Sequence, residues 1–210
     1  MKCGPRTLWK FALGMLVVAL VQNSSFGQAP LDPNLNLLTN GDFTQGTTGW
    51  EFLSFGHQGK ATVLAPGKGL EDALKPVAPQ GEAPTDPTEI HDGKPSLKIE
   101  NITDDDTALK QKVKIKPATR YRLSGWIKTK SVEWKLAKGK RGASVCIMGG
   151  FDSSEPIGKT KGWTHAIYEF SSGTRSEIFI GARLGMYASG VRGTAWFSDI
   201  TLTEVGPAGR

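Results

Sequence analysis

His57, His91 and His165 are the only histidines in this 210-residue chain, and none has a second ligand at a metal-binding spacing such as His-Glu-x-x-His. No Gly-x-Ser-x-Gly turn offers a nucleophilic serine, and no glycine-rich phosphate loop opens a helix. Glu133, Glu155, Glu169 and Asp152 are carboxylates of the kind acid–base cleavage needs. Nothing in their spacing forces two of them together, as that chemistry requires. The composition therefore points away from an enzyme. Better represented are aromatic rings among polar neighbours, which stack on an apolar ring face and hydrogen-bond its edge.

Four residues carry that second chemistry. In the stretch 120–128, two-residue alternation places Tyr121, Leu123 and Ile127 on one face and Arg122, Ser124, Trp126 and Lys128 on the other. Trp126 is then either a stacking surface or a ring packed beneath a loop. Trp134 lies in residues 128–141, which hold six basic residues and one acid. Such a segment either grips an anionic polysaccharide or nucleic acid, or is a solvated loop. In 178–184, Ile178, Ile180, Ala182 and Leu184 point inward, leaving Phe179, Gly181 and Arg183 outside. Arg183 either meets a ligand or forms a surface ion pair, and Tyr187 follows it in a glycine-rich turn.

These side chains need a scaffold, and the sequence supplies strands. Alternation marks 96–100, 109–115 and 120–128, with further strands expected at 143–148, 163–170, 177–184 and 194–203. Helical periodicity is confined to one turn at 71–74. Residues 65–87 contain five prolines and read as a long exposed loop. About eight short strands with Gly-rich connections make an all-β chain, a β-sandwich. Residues 28–36 form a lead-in, 37–205 the domain and 206–210 a tail.

The N-terminus reads as a targeting segment. Lys2, Arg6 and Lys10 precede an apolar run at 11–21, too short to span a bilayer, and Ser25-Phe26-Gly27 fits a cleavage site. Residues 1–27 are expected to be a signal peptide, and the protein to be secreted. Its removal leaves 23 Lys and Arg against 20 acids, so a net charge of +6 falls to +3. Cys3 leaves with it, and Cys146 alone cannot form an intrachain disulfide.

Five ordered pieces carry a resemblance. They are Asn36-Leu37-Leu38-Thr39-Asn40-Gly41-Asp42-Phe43 with Gly49-Trp50, then Asp92-Gly93-Lys94-Pro95-Ser96-Leu97-Lys98-Ile99, and then 117–129. Gly162-Trp163-Thr164 through Phe170 and the closing segment 193–203 complete the set. In this order they resemble carbohydrate-binding modules of the family 4/9/22 type, over residues 36–204. The resemblance implies a galactose-binding-like jelly-roll sandwich that binds a polysaccharide without cleaving it, and the residues read above, Trp126, Arg183, Trp134 and Tyr187, are the candidate contacts. An extracellular structural or adhesion domain for a protein or anionic polymer is the alternative on the same scaffold. The resemblance places Trp50, Trp163, Trp196 and Phe197 at strand ends or in the core. It also implies a structural calcium between the first and last strands, with Asp199 and Asp42 as ligands. Thr44 and Ser198 stand where the family commonly has acids.

Overall fold

The computed structural model describes Met1 and residues 35–64, 89–134, 141–187 and 190–209. The expected signal peptide, the Pro-rich loop and the turn at 71–74 lie outside the described residues. The described residues hold nine strands in order: β1 Glu51–Ser54, β2 Gly59–Leu64, β3 Ser96–Asp105, β4 Thr107–Lys114, β5 Thr119–Trp134, β6 Ala143–Ile147, β7 Lys159–Ser171, β8 Glu177–Leu184 and β9 Val191–Pro207. They form a four-stranded sheet, β1-β4-β8-β6, and a five-stranded sheet, β2-β3-β9-β5-β7. Every pairing is antiparallel. Among the described residues no helix is long and apolar enough to cross a membrane.

Alternation explains which sides meet. Leu97 and Ile99 of β3, Tyr121, Leu123 and Ile127 of β5, and Ile178, Ile180, Ala182 and Leu184 of β8 enter one buried core. Gly125 also faces inward, since a Cβ there would sit 3.3 Å from Ile200 Cγ1 and 3.4 Å from Val145 Cγ1. Trp126 and Arg183 accordingly point away from the core, on the outer faces of different sheets. Phe197 is fully buried, Trp196 is 2 % exposed, and Trp50 is also buried.

The opening segment is sewn to the closing strand. Leu37 donates its N–H to Leu202 O (2.9 Å), and Ile200 donates to Gly41 O (2.9 Å). Asn36 Oδ1 accepts from Leu38 N and Leu202 N, while its Nδ2 donates to Ile200 O. Gly41 has no room for a side chain, because a Cβ would lie 2.1 Å from Ile200 O. Asn36, placed in the expected lead-in, is therefore bonded into the fold. The fold runs past residue 205, with β9 ending at Pro207 and Ala208 N bonded to Ala118 O (2.8 Å).

Strands β1 and β2 are absent from the alternation reading. Both are short, with side chains mostly of intermediate exposure. Their pairing with β4 and β3 holds them in place. That is a tertiary cause, invisible to local pattern.

Candidate functional site

The chain crosses repeatedly between the two sheets, and three crossings meet near one end of the four-stranded sheet. Ser54 at the end of β1 pairs with Thr107 at the start of β4, and Thr107 pairs with Leu184 at the end of β8. The corners at this end begin at residues 55–58, Asp106 and residues 185–187. Phe55 comes from the first, Tyr187 from the third, and Phe151 from the β6–β7 connection.

Two of these rings lie over one buried cation, and the third packs against one of them. Arg183 is fully buried, although it lies on the sheet's outer face. Its guanidinium carbon is 4.5 Å from the Tyr187 ring centroid and 5.7 Å from that of Phe55. Phe151 meets Tyr187 edge-on, with centroids 5.0 Å apart. Phe151 is 79 % exposed, Phe55 56 % and Tyr187 36 %. Three large rings thus form a rim open to solvent over a closed floor.

Asp106 neutralises that floor. Arg183 Nε donates to Asp106 Oδ1 at 2.7 Å and Nη2 donates to Oδ2, a bidentate pair with both side chains buried. Burial lowers the guanidinium pKa, but the bonds and charge of Asp106 outweigh it and raise the value. Arg183 Nη1 and Ser144 Oγ have no hydrogen-bond partner among the described residues. The two residues lie directly across from each other on β8 and β6. Cys146 is a buried free thiol two pairs further along, on the same face. Burial pushes its pKa up to about 12, against a smaller downward pull from Arg183, so it stays protonated and unreactive.

On the rest of the face two of the three outward lysines of β4 are paired with acids. Lys110 pairs with Glu51 (3.2 Å) and Lys112 with Glu177 (2.8 Å). Both ammonium groups approach the Phe179 ring, at 4.9 and 5.8 Å from its centroid. A depression of about 340 Å³ lies elsewhere, lined by Leu37, Thr39, Gly49, Gln111 and Val113 among others. Gln111 already bonds Thr39 N, Thr39 O and Gly49 O, so its amide is not available to a ligand there.

The residues singled out in the sequence separate into distinct places. Arg183 and Tyr187 come together, but Arg183 is neither surface-exposed nor in a surface ion pair. Trp126 lies on the outer face of the five-stranded sheet, so no groove contains both Trp126 and Arg183. Its indole stacks with His91 (4.5 Å) and His165 (4.9 Å), and His91 also meets Trp163 (5.0 Å). The Trp126 ring keeps intermediate exposure, with His91 from the preceding segment and the exposed His165 of β7 packed against it. Trp134 ends β5 at 37 % exposure. Its ring lies against Gly158, where a Cβ would be 2.5 Å from Trp134 Cζ3. Residues 135–140 of its basic loop lie outside the described residues.

Phe55, Phe151 and Asp106 were not singled out. Two of them are aromatics beside glycine in sheet connections, Phe55-Gly56 and Gly150-Phe151, which is the signal that marks them. Asp104-Asp105-Asp106 reads as a solvated acidic run, yet Asp105 is 2 % and Asp106 3 % exposed.

The calcium expectation meets an unsuitable donor set. Both oxygens of Asp199 accept from Lys94 Nζ, at 3.1 and 3.0 Å. Asp42 Oδ1 accepts from Thr44 N and Thr44 Oγ1. The bond and charge of Asp199 raise the Lys94 pKa, with Asp92 and Asp42 adding smaller contributions. A lysine ammonium stands where these carboxylates would gather a cation, and no cluster of three His, Cys, Asp or Glu suited to a metal occurs among the described residues. Asp199 and Asp42 do not fit a calcium ion as arranged.

Two stacked antiparallel sheets, nine strands and an opening segment bound to the closing strand define the architecture. A Bacteroides thetaiotaomicron protein proposed to bind sugar superposes over 81 % of this chain and 100 % of its own, with TM-score 0.50 and 13 % identity. The two share one fold, a jelly-roll β-sandwich of two antiparallel sheets. A family 61 module solved with β-1,4-galactotriose is 17 % identical, covering 81 % of this chain and 99 % of that one at TM-score 0.48. A family 22 xylan-binding domain from Paenibacillus barcinonensis is 16 % identical, over 79 % and 92 %, at TM-score 0.42. No family model and no curated protein matches the sequence. At 13 % identity the Bacteroides thetaiotaomicron likeness shows the fold alone and leaves the ligand to the site.

Proposed function

We propose that this protein is an exported, non-catalytic carbohydrate-binding module whose ligand lies on the outer face of the four-stranded sheet. The observation that carries this is the rim of Phe55, Phe151 and Tyr187 around the buried Arg183–Asp106 pair. Exposed rings stack on sugar faces, while Arg183 Nη1 and Ser144 Oγ are spare polar groups for a hydroxyl that displaces their cover. Export rests on the charged and apolar N-terminal run, and N-terminal sequencing of the mature protein tests it.

The face favours a neutral polysaccharide over an anionic one. Arg183, Lys110 and Lys112 are each matched by an acid, namely Asp106, Glu51 and Glu177. A carboxylated or sulfated chain would have to compete with those partners. Titration against neutral and acidic glycans at two salt concentrations tests the reading. Affinity for a neutral glycan that changes little with salt and falls in Tyr187→Ala supports it. Binding only to acidic glycans, with steep salt dependence, or only to a protein partner, sinks it.

A further inference from the structure

Asp105, the last residue of β3, is a buried carboxylate whose charge is met by neutral donors. Its Oδ1 accepts from Gly56 N and Asp106 N, both at 2.6 Å. Its Oδ2 accepts from Ser54 Oγ (2.6 Å), Gln58 N (2.9 Å) and Gly59 N (2.7 Å). Four of the five donors belong to the β1–β2 corner. Phe55 sits inside that ring of bonds, with its own N–H on Asp106 O at 3.0 Å.

The corner is shaped around this carboxylate. A Cβ at Gly56 would lie 2.9 Å from Asp105 Oδ1, and one at Gly59 only 1.8 Å from Thr107 Oγ1. His57 takes a left-handed φ of 60°, which lets the chain turn back toward Asp105. Asn101 ties in the other crossings, its Nδ2 donating to Asp105 O, Leu184 O and Val191 O. The next residue, Asp106, holds Arg183. Two successive carboxylates thus secure the two parts of the face, Asp105 the Phe55 corner and Asp106 the Arg183 floor.

We infer that Asp105 is a positioning residue that holds Phe55 over Arg183, and so sets ligand affinity without touching the ligand. This rests on the proposed function for its ligand readout, while the clamp itself can be tested without a ligand. The geometry makes Asp irreplaceable by Asn. Donors converge on both oxygens, so either orientation of an amide sets its NH₂ against N–H or O–H groups.

The experiment measures amide exchange and glycan affinity in wild type, Asp105→Asn, Phe55→Ala and the double variant. In Asp105→Asn the amides of Gly56, Gln58 and Gly59 should exchange about tenfold faster or more, while those of Leu123 and Leu202 in the core stay protected. Affinity should fall as far as in Phe55→Ala, and the double variant should lose nothing further. Retained protection at the three corner amides overturns the clamp. Wild-type affinity in Asp105→Asn, or additive losses in the double variant, overturns the positioning role. A wild type that binds no glycan overturns the proposed function, and with it the positioning role, whatever the exchange shows. Should Asp105→Asn fail to fold, Ser54→Ala removes one donor only, and a several-fold smaller change in the same two readouts is expected; no change overturns the inference.

Discussion

The two outer faces of this sandwich are built from the same residue types and do opposite things with them. On the five-stranded sheet the aromatics close on each other: Trp126 stacks with His91 and His165, Trp163 meets His91, and Lys128 lies 5.4 Å over the buried Trp196 ring. On the four-stranded sheet Phe179 lies within β8 under two lysines, while the other rings stand in connections, and Phe55 and Phe151 remain mostly exposed. The difference is positional. A ring in mid-strand has cross-strand neighbours at about 5 Å, as Trp126 has His165 beside it, and these occupy part of its surface. A ring on a connection lacks such a neighbour on one side and keeps surface for a partner.

That contrast breaks first at the buried pair. Arg183→Met leaves Asp106 charged and buried without its partner, and should cost about 3–5 kcal/mol in urea unfolding. Replacing both residues with apolar ones should restore much of that loss. If Arg183→Met is nearly neutral, the floor is wetter than described and the two faces are less different.

The rings sharpen it next. Tyr187→Ala and Phe151→Ala should each weaken glycan binding by about tenfold, since an aromatic contact contributes about 0.5–1.5 kcal/mol. Both should leave unfolding close to wild type, most clearly for Phe151. Trp126→Ala should do the reverse, costing about 1–3 kcal/mol of stability through two lost ring contacts while binding holds.

A smaller effect separates the faces by pH. Burial raises the Asp105 pKa, but bonds from Ser54, Gly56, Gln58 and Asp106 more than reverse this and hold it below the ordinary value. A carboxyl with a depressed folded pKa contributes stability that is present above its unfolded pKa of about 3.9, and that is lost as pH falls through the folded value. Wild type should therefore lose stability below about pH 4. Asp105→Asn should start lower and show a flatter acid limb, measured by thermal unfolding across pH 2–6.

The smallest expected effect concerns the cation position. Chelator should leave wild-type Tm unchanged, because Lys94 occupies the Asp199 carboxylate. Lys94→Ala should cost less than about 1 kcal/mol, as an exposed pair does. A calcium-dependent rise in wild-type Tm would contradict the reading of that site.

The scaffold was largely legible because its signals are local. Alternation at Leu97 and Ile99, at Leu123 and Ile127, and at Ile178 and Ile180 selects the core directly, and the opening and closing motifs do meet across Gly41 and Ile200. The site was legible only in part. Alternation put Arg183 outside, but could not show that Asp106, 77 positions earlier, would bury and neutralise it. Asp105 looked solvated because its donors come from Ser54 to Gly59, about 50 residues away. Trp126 looked like a binding ring because its cover, His91 and His165, comes from a loop and a neighbouring strand. In each case the deciding partner is distant in sequence and carries no periodic signal.

The central claim is that ligand binds over Arg183 and not over Trp126. Titrating one neutral glycan, chosen from a panel as the tightest wild-type ligand, into wild type, Tyr187→Ala and Trp126→Ala tests it most directly. The expected result is about a tenfold loss of affinity in Tyr187→Ala and wild-type affinity in folded Trp126→Ala. Loss in Trp126→Ala with Tyr187→Ala unaffected would contradict it and move the site to the five-stranded sheet.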